Sequence, residues 1–311
     1  MSPRPARLVI ATRQSRLALW QSNFVSQQLS ALYPERQIEL LPLSTRGDEV
    51  LDRSLAAIGG KGLFVKELEQ ALADGRADLA VHSCKDVPMD LPEGFTLAAY
   101  MEREDPRDAF VSVRFDSLAA LPQRGVVGTS SLRREAQLRH THPHLQVNPL
   151  RGNIDTRLRK LEAGTYDALV LAAAGLRRLG LEAHVRSRMS VEESVPAVGQ
   201  GALAIEVRAE RGDLADLLKP LNHSATERCV RAERAASRGL GGSCHLPLAV
   251  HGRLEGREIR LTGLVATQDG SQLVRATLSG DAREPERLGA QLAAELRSRG
   301  AEAILEQLPT Q

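Results

Sequence analysis

Residues 7–16 read Arg-Leu-Val-Ile-Ala-Thr-Arg-Gln-Ser-Arg, and the order of residue types in them decides the fold. The apolar run predicts a buried strand over Arg7–Thr12, and Arg13-Gln14-Ser15-Arg16 a polar turn. A helix is expected from Leu17 to Leu32, stopping before Pro34 because the residue preceding a proline disfavours helical angles. Gln37–Leu43 reads as a second strand, ending in Ser44-Thr45-Arg46-Gly47-Asp48. Strand, polar turn, helix, strand is the opening of an open α/β sheet, which binds ligands at the carboxyl ends of its strands. Arg13 and Ser15 stand at such an end.

The unit continues with a helix from Leu63 to Ala73, opened by Gly59-Gly60-Lys61-Gly62 and closed by Gly75. The glycine–lysine run lacks the spacing of a phosphate loop. The polar stretch Arg46–Lys61 reads either as a mobile lid or as a plain surface loop. Ala77–His82 is the next strand, followed by Ser83-Cys84-Lys85-Asp86-Val87-Pro88. Pro88 opposes a helix there, so an irregular loop is expected to carry serine, lysine and aspartate at a strand end. That grouping reads as an active site or, more plainly, as a Lys–Asp surface pair. Phe95–Ala99 is a strand, and the charged run 102–107 links to a second α/β unit.

In that unit the strand Val126–Gly128 leads to Thr129-Ser130-Ser131 and a helix from Leu132 to His140. Serine or threonine is a normal helix cap. Arg133 and Arg134 in the first turn oppose the helix dipole, a cost that a bound anion would offset. A strand ending near Leu150 runs into Arg151-Gly152-Asn153-Ile154-Asp155 and a helix carrying Arg157. The strand Ala168–Leu171 leads to Arg177 and Arg178. Arginines at three successive strand ends suggest a cleft for several carboxylates or phosphates. Ser194–Gly201 is expected to cross back, with Ala202–Val207 rejoining the first sheet.

A third region opens with Ser224-Ala-Thr-Glu227, a capping-box sequence, and a helix to Arg238. Strands are expected at Leu246–Val250, Ile259–Thr267 and Leu273–Leu278, with Asp269-Gly270 as a hairpin turn, and a helix at Glu284–Arg299. Between helix and strands lies Arg238-Gly-Leu-Gly-Gly-Ser-Cys-His-Leu-Pro247. Glycines there presents Cys244 on a loop with space beside it, and Arg238 and His245 would favour its thiolate; the plainer reading is a small buried turn residue.

Composition narrows the function classes. The 311 residues are too many for one simple core and indicate two or three domains. A net charge of +2 and an aromatic content of 3% give no global field or stacking surface for nucleic acid. Only five of the 41 basic residues are lysine, and arginine is the better bidentate partner for carboxylates. Three cysteines provide neither a disulfide framework nor zinc spacing. Pro143 breaks up the His140, His142, His144 run, so no metal is expected. Gly199-Gln-Gly-Ala-Leu-Ala204 precedes a strand instead of following one, contrary to a dinucleotide fingerprint. With no apolar run long enough for a signal peptide or a membrane span, a cytoplasmic chain is expected.

Taken together, Ala11-Thr-Arg-Gln-Ser-Arg-Leu-Ala-Leu-Trp20, Gly59-Gly-Lys-Gly-Leu-Phe-Val-Lys-Glu-Leu68, Val81-His-Ser-Cys-Lys-Asp-Val-Pro88, Gly128-Thr-Ser-Ser-Leu-Arg-Arg134, Arg151-Gly-Asn-Ile-Asp-Thr-Arg157, Val198-Gly-Gln-Gly-Ala202 and Gly241-Gly-Ser-Cys244 resemble the porphobilinogen deaminase (hydroxymethylbilane synthase) family. The resemblance spans nearly the whole chain. It implies an α/β protein of three domains: 1–101 plus 202–220, 107–195, and 222–311. The first two are expected to be like periplasmic binding proteins, with doubly wound mixed sheets, and the third to be a small α+β domain.

The resemblance also implies a transferase that adds four porphobilinogen units, each losing ammonia, to a dipyrromethane cofactor held by Cys244 through a thioether. Hydrolysis then releases the linear tetrapyrrole. Asp86 is the implied catalytic carboxylate. Ser83, Lys85, Asp86, Thr129, Ser131, Arg133 and Arg134 are the implied cofactor-binding residues. Arg13, Ser15, Arg151, Arg157, Arg178, Lys61 and Phe64 are implied for substrate. No nucleic acid, membrane or metal partner is implied, and a monomer is expected. Ser243, His245 and Ala57 depart from the usual family residues. A two-lobed anion receptor without catalysis is the alternative.

Overall fold

The structure is a computed structural model describing residues 7–45, 65–242 and 246–307. Phe64, the whole 46–61 stretch with Lys61, and Cys244 lie outside them. In chain order the first elements are β1 (Arg7–Arg13), α1 (Arg16–Leu32), β2 (Gln37–Leu43), α2 (Lys66–Ala73), β3 (Leu79–Ser83) and β4 (Phe95–Tyr100). Next come β5 (Asp108–Val111), β6 (Val126–Gly128), α3 (Leu132–Thr141), β7 (Gln146–Asn148), α4 (Ile154–Glu162), β8 (Ala168–Ala172), α5 (Ala173–Arg178) and β9 (Val185–Arg188). The chain finishes with β10 (Leu203–Arg208), α6 (Gly212–Leu218), α7 (Ser224–Gly239), β11 (Leu248–Glu255), β12 (Glu258–Ala266), β13 (Leu273–Asp281), α8 (Pro285–Leu296) and α9 (Glu302–Glu306).

The chain divides into two compact units, residues 1–104 with 202–227, and residues 105–201 with 228–311. In the first, the sheet order is β2-β1-β3-β10-β4. β1 runs parallel to β2 and β3, and β10 enters antiparallel between β3 and β4. Period-two alternation sorts the side chains. Leu8, Ile10, Leu79, Val81, Leu203 and Ile205 pack with Val25 and Leu29 of α1 on one face. Ala11 and Ala80 take Leu68 and Leu72 of α2 on the other. Helices on both faces make the sheet doubly wound. Leu8 and Ile10 are fully buried, which stabilises by about 1.5–3 kcal/mol each.

The second unit holds a mixed sheet ordered β7-β6-β8-β5-β9 and an antiparallel meander β11-β12-β13. β5 and β9 were not anticipated. They are four residues each, β5 directly follows a charged linker, and β9 alternates Val-Arg-Ser-Arg without an apolar run. Residues 228–311 group with 105–201, and the meander with its helices is the smaller third sheet-and-helix domain that was expected. Ala136 of α3 and Val195 share a buried cluster with Ala249, Leu264 and Ala266 of the meander. The 3.6-residue period puts Leu288, Leu292 and Leu296 of α8 on one buried face. Gly263 and Gly280 leave room for them, since a Cβ at either position would fall 2.8 or 2.9 Å from a leucine methyl.

One local reading differs. α7 begins at Ser224, so Ser224 is not its cap. His223 Nδ1 contacts Thr226 Oγ1 at 2.9 Å, and Asn222 Nδ2 donates to Glu227 Oε2 at 2.7 Å. The Ala173–Arg178 stretch is helical because Ala-Ala-Gly-Leu carries no proline to stop it.

α7 and α8 approach closely at Gly289, where a Cβ would meet the Ala232 carbonyl oxygen at 2.4 Å and the Ala235 Cβ at 2.7 Å. Backbone on the far side cannot yield as a flexible side chain does. Gly289→Ala is therefore expected to destabilise the protein by about 1–3 kcal/mol, read as a lowered urea midpoint at unchanged slope.

Candidate functional site

Both sheets present their polar residues where parallel strands end. In the first unit β1 and β3 are parallel neighbours, so the turn after Arg13 and the turn after Ser83 leave the sheet side by side. Ser15 is the N-cap of α1, its Oγ accepting the Ala18 N–H at 3.3 Å. Gln21, buried on α1, donates from Nε2 to Ser83 Oγ at 2.8 Å and so ties that helix to the end of β3. Cys84–Asp86 form one 3₁₀ turn where an irregular loop was expected. Pro88 acts two residues beyond Asp86, too late to prevent a single turn. The Cys84 N–H donates to the Ala202 carbonyl at 3.0 Å, fastening the turn to the residue before β10. Lys85 and Asp86 are half-buried. Among the described residues the Asp86 carboxylate has no hydrogen-bond or ion partner.

In the second unit β6 lies between β7 and β8, parallel to both, which gathers the turns holding Thr129–Arg134, Arg151–Arg157 and Arg178 at one edge. Thr129 is buried and its Oγ1 accepts the Ser131 N–H at 3.2 Å. Ser130 Oγ donates to the Leu150 carbonyl at 2.6 Å and accepts the Leu150 N–H at 3.0 Å, clipping two of the turns together. Ser131 caps α3 by position, without a side-chain hydrogen bond. Arg157 Nε donates to the Gly152 carbonyl at 2.8 Å and Arg178 Nη2 to the Gly201 carbonyl at 2.6 Å. Gly152 has φ +107°, a conformation glycine favours. Arg151 is half-buried, and its guanidinium has no partner among the described residues.

Arg133 and Arg134 are not placed as expected. Both are buried, and the anion that offsets their position in the first turn of α3 is internal. Asp108 of β5 receives Arg133 Nη1 at 2.8 Å and Nη2 at 3.1 Å, and Arg134 Nε at 3.0 Å and Nη2 at 2.8 Å. Ser194 Oγ and Gln200 Nε2 also donate to it, at 2.8 and 2.9 Å. Burial pushes the Asp108 carboxyl up, and the two guanidiniums more than reverse this, holding it well below the usual carboxylate range. One carboxylate against two guanidiniums leaves a net positive charge, and Arg133 Nε is buried without a hydrogen-bond partner.

Asp108, Ser194, Gln200 and Gln21 were missed in the sequence. The one available signal for Asp108 was an aspartate heading an otherwise apolar Asp-Ala-Phe-Val run. Among the described residues no helix is long and apolar enough to cross a membrane, and no group of histidine, cysteine and acidic residues could hold a metal ion.

Comparison with known proteins now defines the class. Residues 8–216 match the family model "porphobilinogen deaminase, dipyromethane cofactor binding domain", and residues 227–298 match the C-terminal domain of the same family. The porphobilinogen deaminase of Methylobacillus flagellatus is 56% identical, covering 98% of each chain. That of Paraburkholderia phymatum is 57% identical over 98% of this chain and 94% of its own, and that of Burkholderia thailandensis 58% over 98% and 93%. Among solved structures, a nutrient-binding protein from Burkholderia cenocepacia aligns over 68% of this chain and 90% of its own, at 14% identity and a TM-score of 0.44, a likeness too loose to argue from.

The chain belongs to the porphobilinogen deaminase family. It is a transferase of tetrapyrrole biosynthesis with a dipyrromethane cofactor-binding domain.

Asp108→Asn would leave two buried guanidiniums without their counter-ion. It is expected to lose about 3–5 kcal/mol of stability at neutral pH. A carboxyl held low in the folded state contributes fully above its ordinary value of about 4, and its contribution fades as pH falls towards its folded value. The gap between wild type and variant should therefore persist down to about pH 4 and narrow only in stronger acid, as read by urea unfolding at several pH values.

Proposed function

We propose that the chain joins four porphobilinogen molecules head to tail on a dipyrromethane primer carried by Cys244 and releases hydroxymethylbilane, with Asp86 as the catalytic carboxylate. The observation that carries this reading is the Asp86 carboxylate itself, half-buried at a strand end and uncommitted to any described residue. The second unit supports it with a donor set suited to carboxylates: the net positive Asp108–Arg133–Arg134 group, the orphaned Arg133 Nε, and Arg151. At Gly242, two residues before Cys244 in sequence, a Cβ would lie 2.7 Å from the Ser237 carbonyl oxygen, so that position requires glycine.

When bound, dipyrromethane supplies the pyrrole carbon that attacks substrate. Ser83, Lys85, Asp86, Thr129, Ser131, Arg133 and Arg134 hold it, and Arg13, Ser15, Arg151, Arg157, Arg178, Lys61 and Phe64 serve substrate. The C–N bond of the porphobilinogen aminomethyl group breaks, ammonia leaves with the bonding pair, and positive charge spreads over the pyrrole. Asp86 accepts the pyrrole N–H and stabilises that charge, a task for an ionised carboxylate. The arginines keep the carboxylates of the growing chain in place. Cys84 and Cys229 are both buried, and so sparse a cysteine usage suits the cytoplasm. The same reading makes the protein a monomer of three domains.

Purified protein is expected to weigh more than its sequence by one dipyrromethane, with the adduct on Cys244 and absent from Cys244→Ala. Asp86→Asn should keep that mass while single-turnover ammonia release falls by about 10²-fold or more. An adduct on Cys84 or Cys229, or release at the wild-type rate, would overturn the assignment.

A further inference from the structure

Behind the Asp86 turn lies a second set of ionisable groups that the chemistry above does not use. Alternation along β3 and β10 turns Ala80, His82, Ala204 and Glu206 away from the α1 core and towards α2. His82, Glu206 and Glu69 of α2 are all buried. His82 Nε2 and Glu206 Oε2 are 2.8 Å apart, a contact without hydrogen-bond alignment, since His82 Nε2 and both Glu206 oxygens lack a hydrogen-bond partner. Glu69 Oε1 is likewise buried and unpartnered. The three do not converge as metal ligands.

We propose that Glu69, His82 and Glu206 form one buried ionisable cluster that positions the Ser83–Asp86 turn, making Glu69 a positioning residue for Asp86. The inference rests on the reading of Asp86 as the catalytic carboxylate. His82 is the penultimate residue of β3, and the turn begins two residues later. One side of the turn is fixed by the Cys84–Ala202 hydrogen bond and another by the Gln21–Ser83 bond. The His82–Glu206 contact fixes the strand beneath it. A second negative charge on Glu69 competes with Glu206 for the imidazole and disturbs that contact.

The neighbouring elements define the electrostatics. From α2, Lys66 is the nearby cation and Glu67 a further carboxylate. β1 contributes Val9 and Ala11 to this face, with Arg13 two residues on. Burial, then Glu206, pushes the Glu69 carboxyl up to about 7, while His82 and Lys66 pull it back. Glu69 therefore changes charge near neutrality. A raised carboxyl contributes stability fully below its ordinary value and loses it as pH rises through about 7.

The test is kcat and KM from about pH 6 to about pH 9 on cofactor-loaded wild type, Glu69→Gln, Lys66→Met and Asp86→Asn, with melting temperature followed in parallel. Wild-type kcat is expected to show an inflection near 7, with a change of about tenfold across it and little movement of KM. Glu69→Gln should lose the inflection. Lys66→Met, which removes an opposing cation and keeps Glu69, should move it to higher pH, and serves if Glu69→Gln fails to fold. Superimposable wild-type and Glu69→Gln rate profiles, with only the melting curves differing, would make the cluster structural alone. So would a Lys66→Met profile unshifted from wild type. If Asp86→Asn turns over normally, the catalytic assignment fails, whatever Glu69→Gln does. If Asp86→Asn is inactive and the other profiles are unchanged, only the coupling fails.

Discussion

Asp108 sits fully buried between two guanidiniums, and much of the second unit is arranged to keep it there. A buried carboxylate alone is costly, and so is a buried guanidinium. Together they are tolerable only when hydrogen bonds complete the geometry. Here the remaining bonds come from Ser194 and Gln200, both in the segment that returns the chain towards β10, while Arg133 Nη1 also donates to the Val195 carbonyl at 2.6 Å. The returning segment is therefore a third wall of an ionic core as well as a connection. Glu233 of α7 extends the construction, accepting the N–H groups of Gly199 at 2.7 Å and Gly252 at 2.8 Å.

The charge imbalance expected at the start of α3 is present, and an internal carboxylate meets it. Two cations in a helix's first turn do require an anion, and the sequence around Leu132 shows none before Glu135. The anion arrives from Asp108, more than twenty residues earlier, on a strand too short to read. Long-range partners of this kind leave no local trace. What was legible was local: the apolar run of β1, the polar turn after it, the proline stops and the glycine turns such as Gly270 at φ +74°. Long-range pairings that brought β5 beside β8 and β10 between β3 and β4 differ in that respect. The return of β10 to the first sheet was expected because an apolar strand followed a crossover, but its place between β3 and β4 was not, and β5 had only four residues to announce it.

The candidate site was legible to a similar degree. Residue types at strand ends pointed to the turns holding Asp86 and Arg151, because polar residues at the carboxyl ends of parallel strands have few structural duties. The supporting shell was not legible. Gln21 on Ser83, Ser130 on Leu150 and Glu206 against His82 each join positions far apart in sequence. Glu206 and His82 sit in strands whose apolar neighbours read as ordinary core.

Asp86 and Asp108 illustrate how partners divide the work of one side chain. Asp108 spends its acceptor capacity on four donor residues inside the protein, and nothing remains for a ligand. Its effect is to hold two guanidiniums and reduce their joint charge to a single excess positive. Asp86 has no such neighbours among the described residues, which is what the role proposed for it requires. Leaving Asp108 unpaired would push its carboxyl up until it took a proton. The same carboxylate chemistry thus gives an uncommitted group at one strand end, as the proposed catalytic role requires, and a scaffold near another, and the number of guanidiniums within reach decides between them.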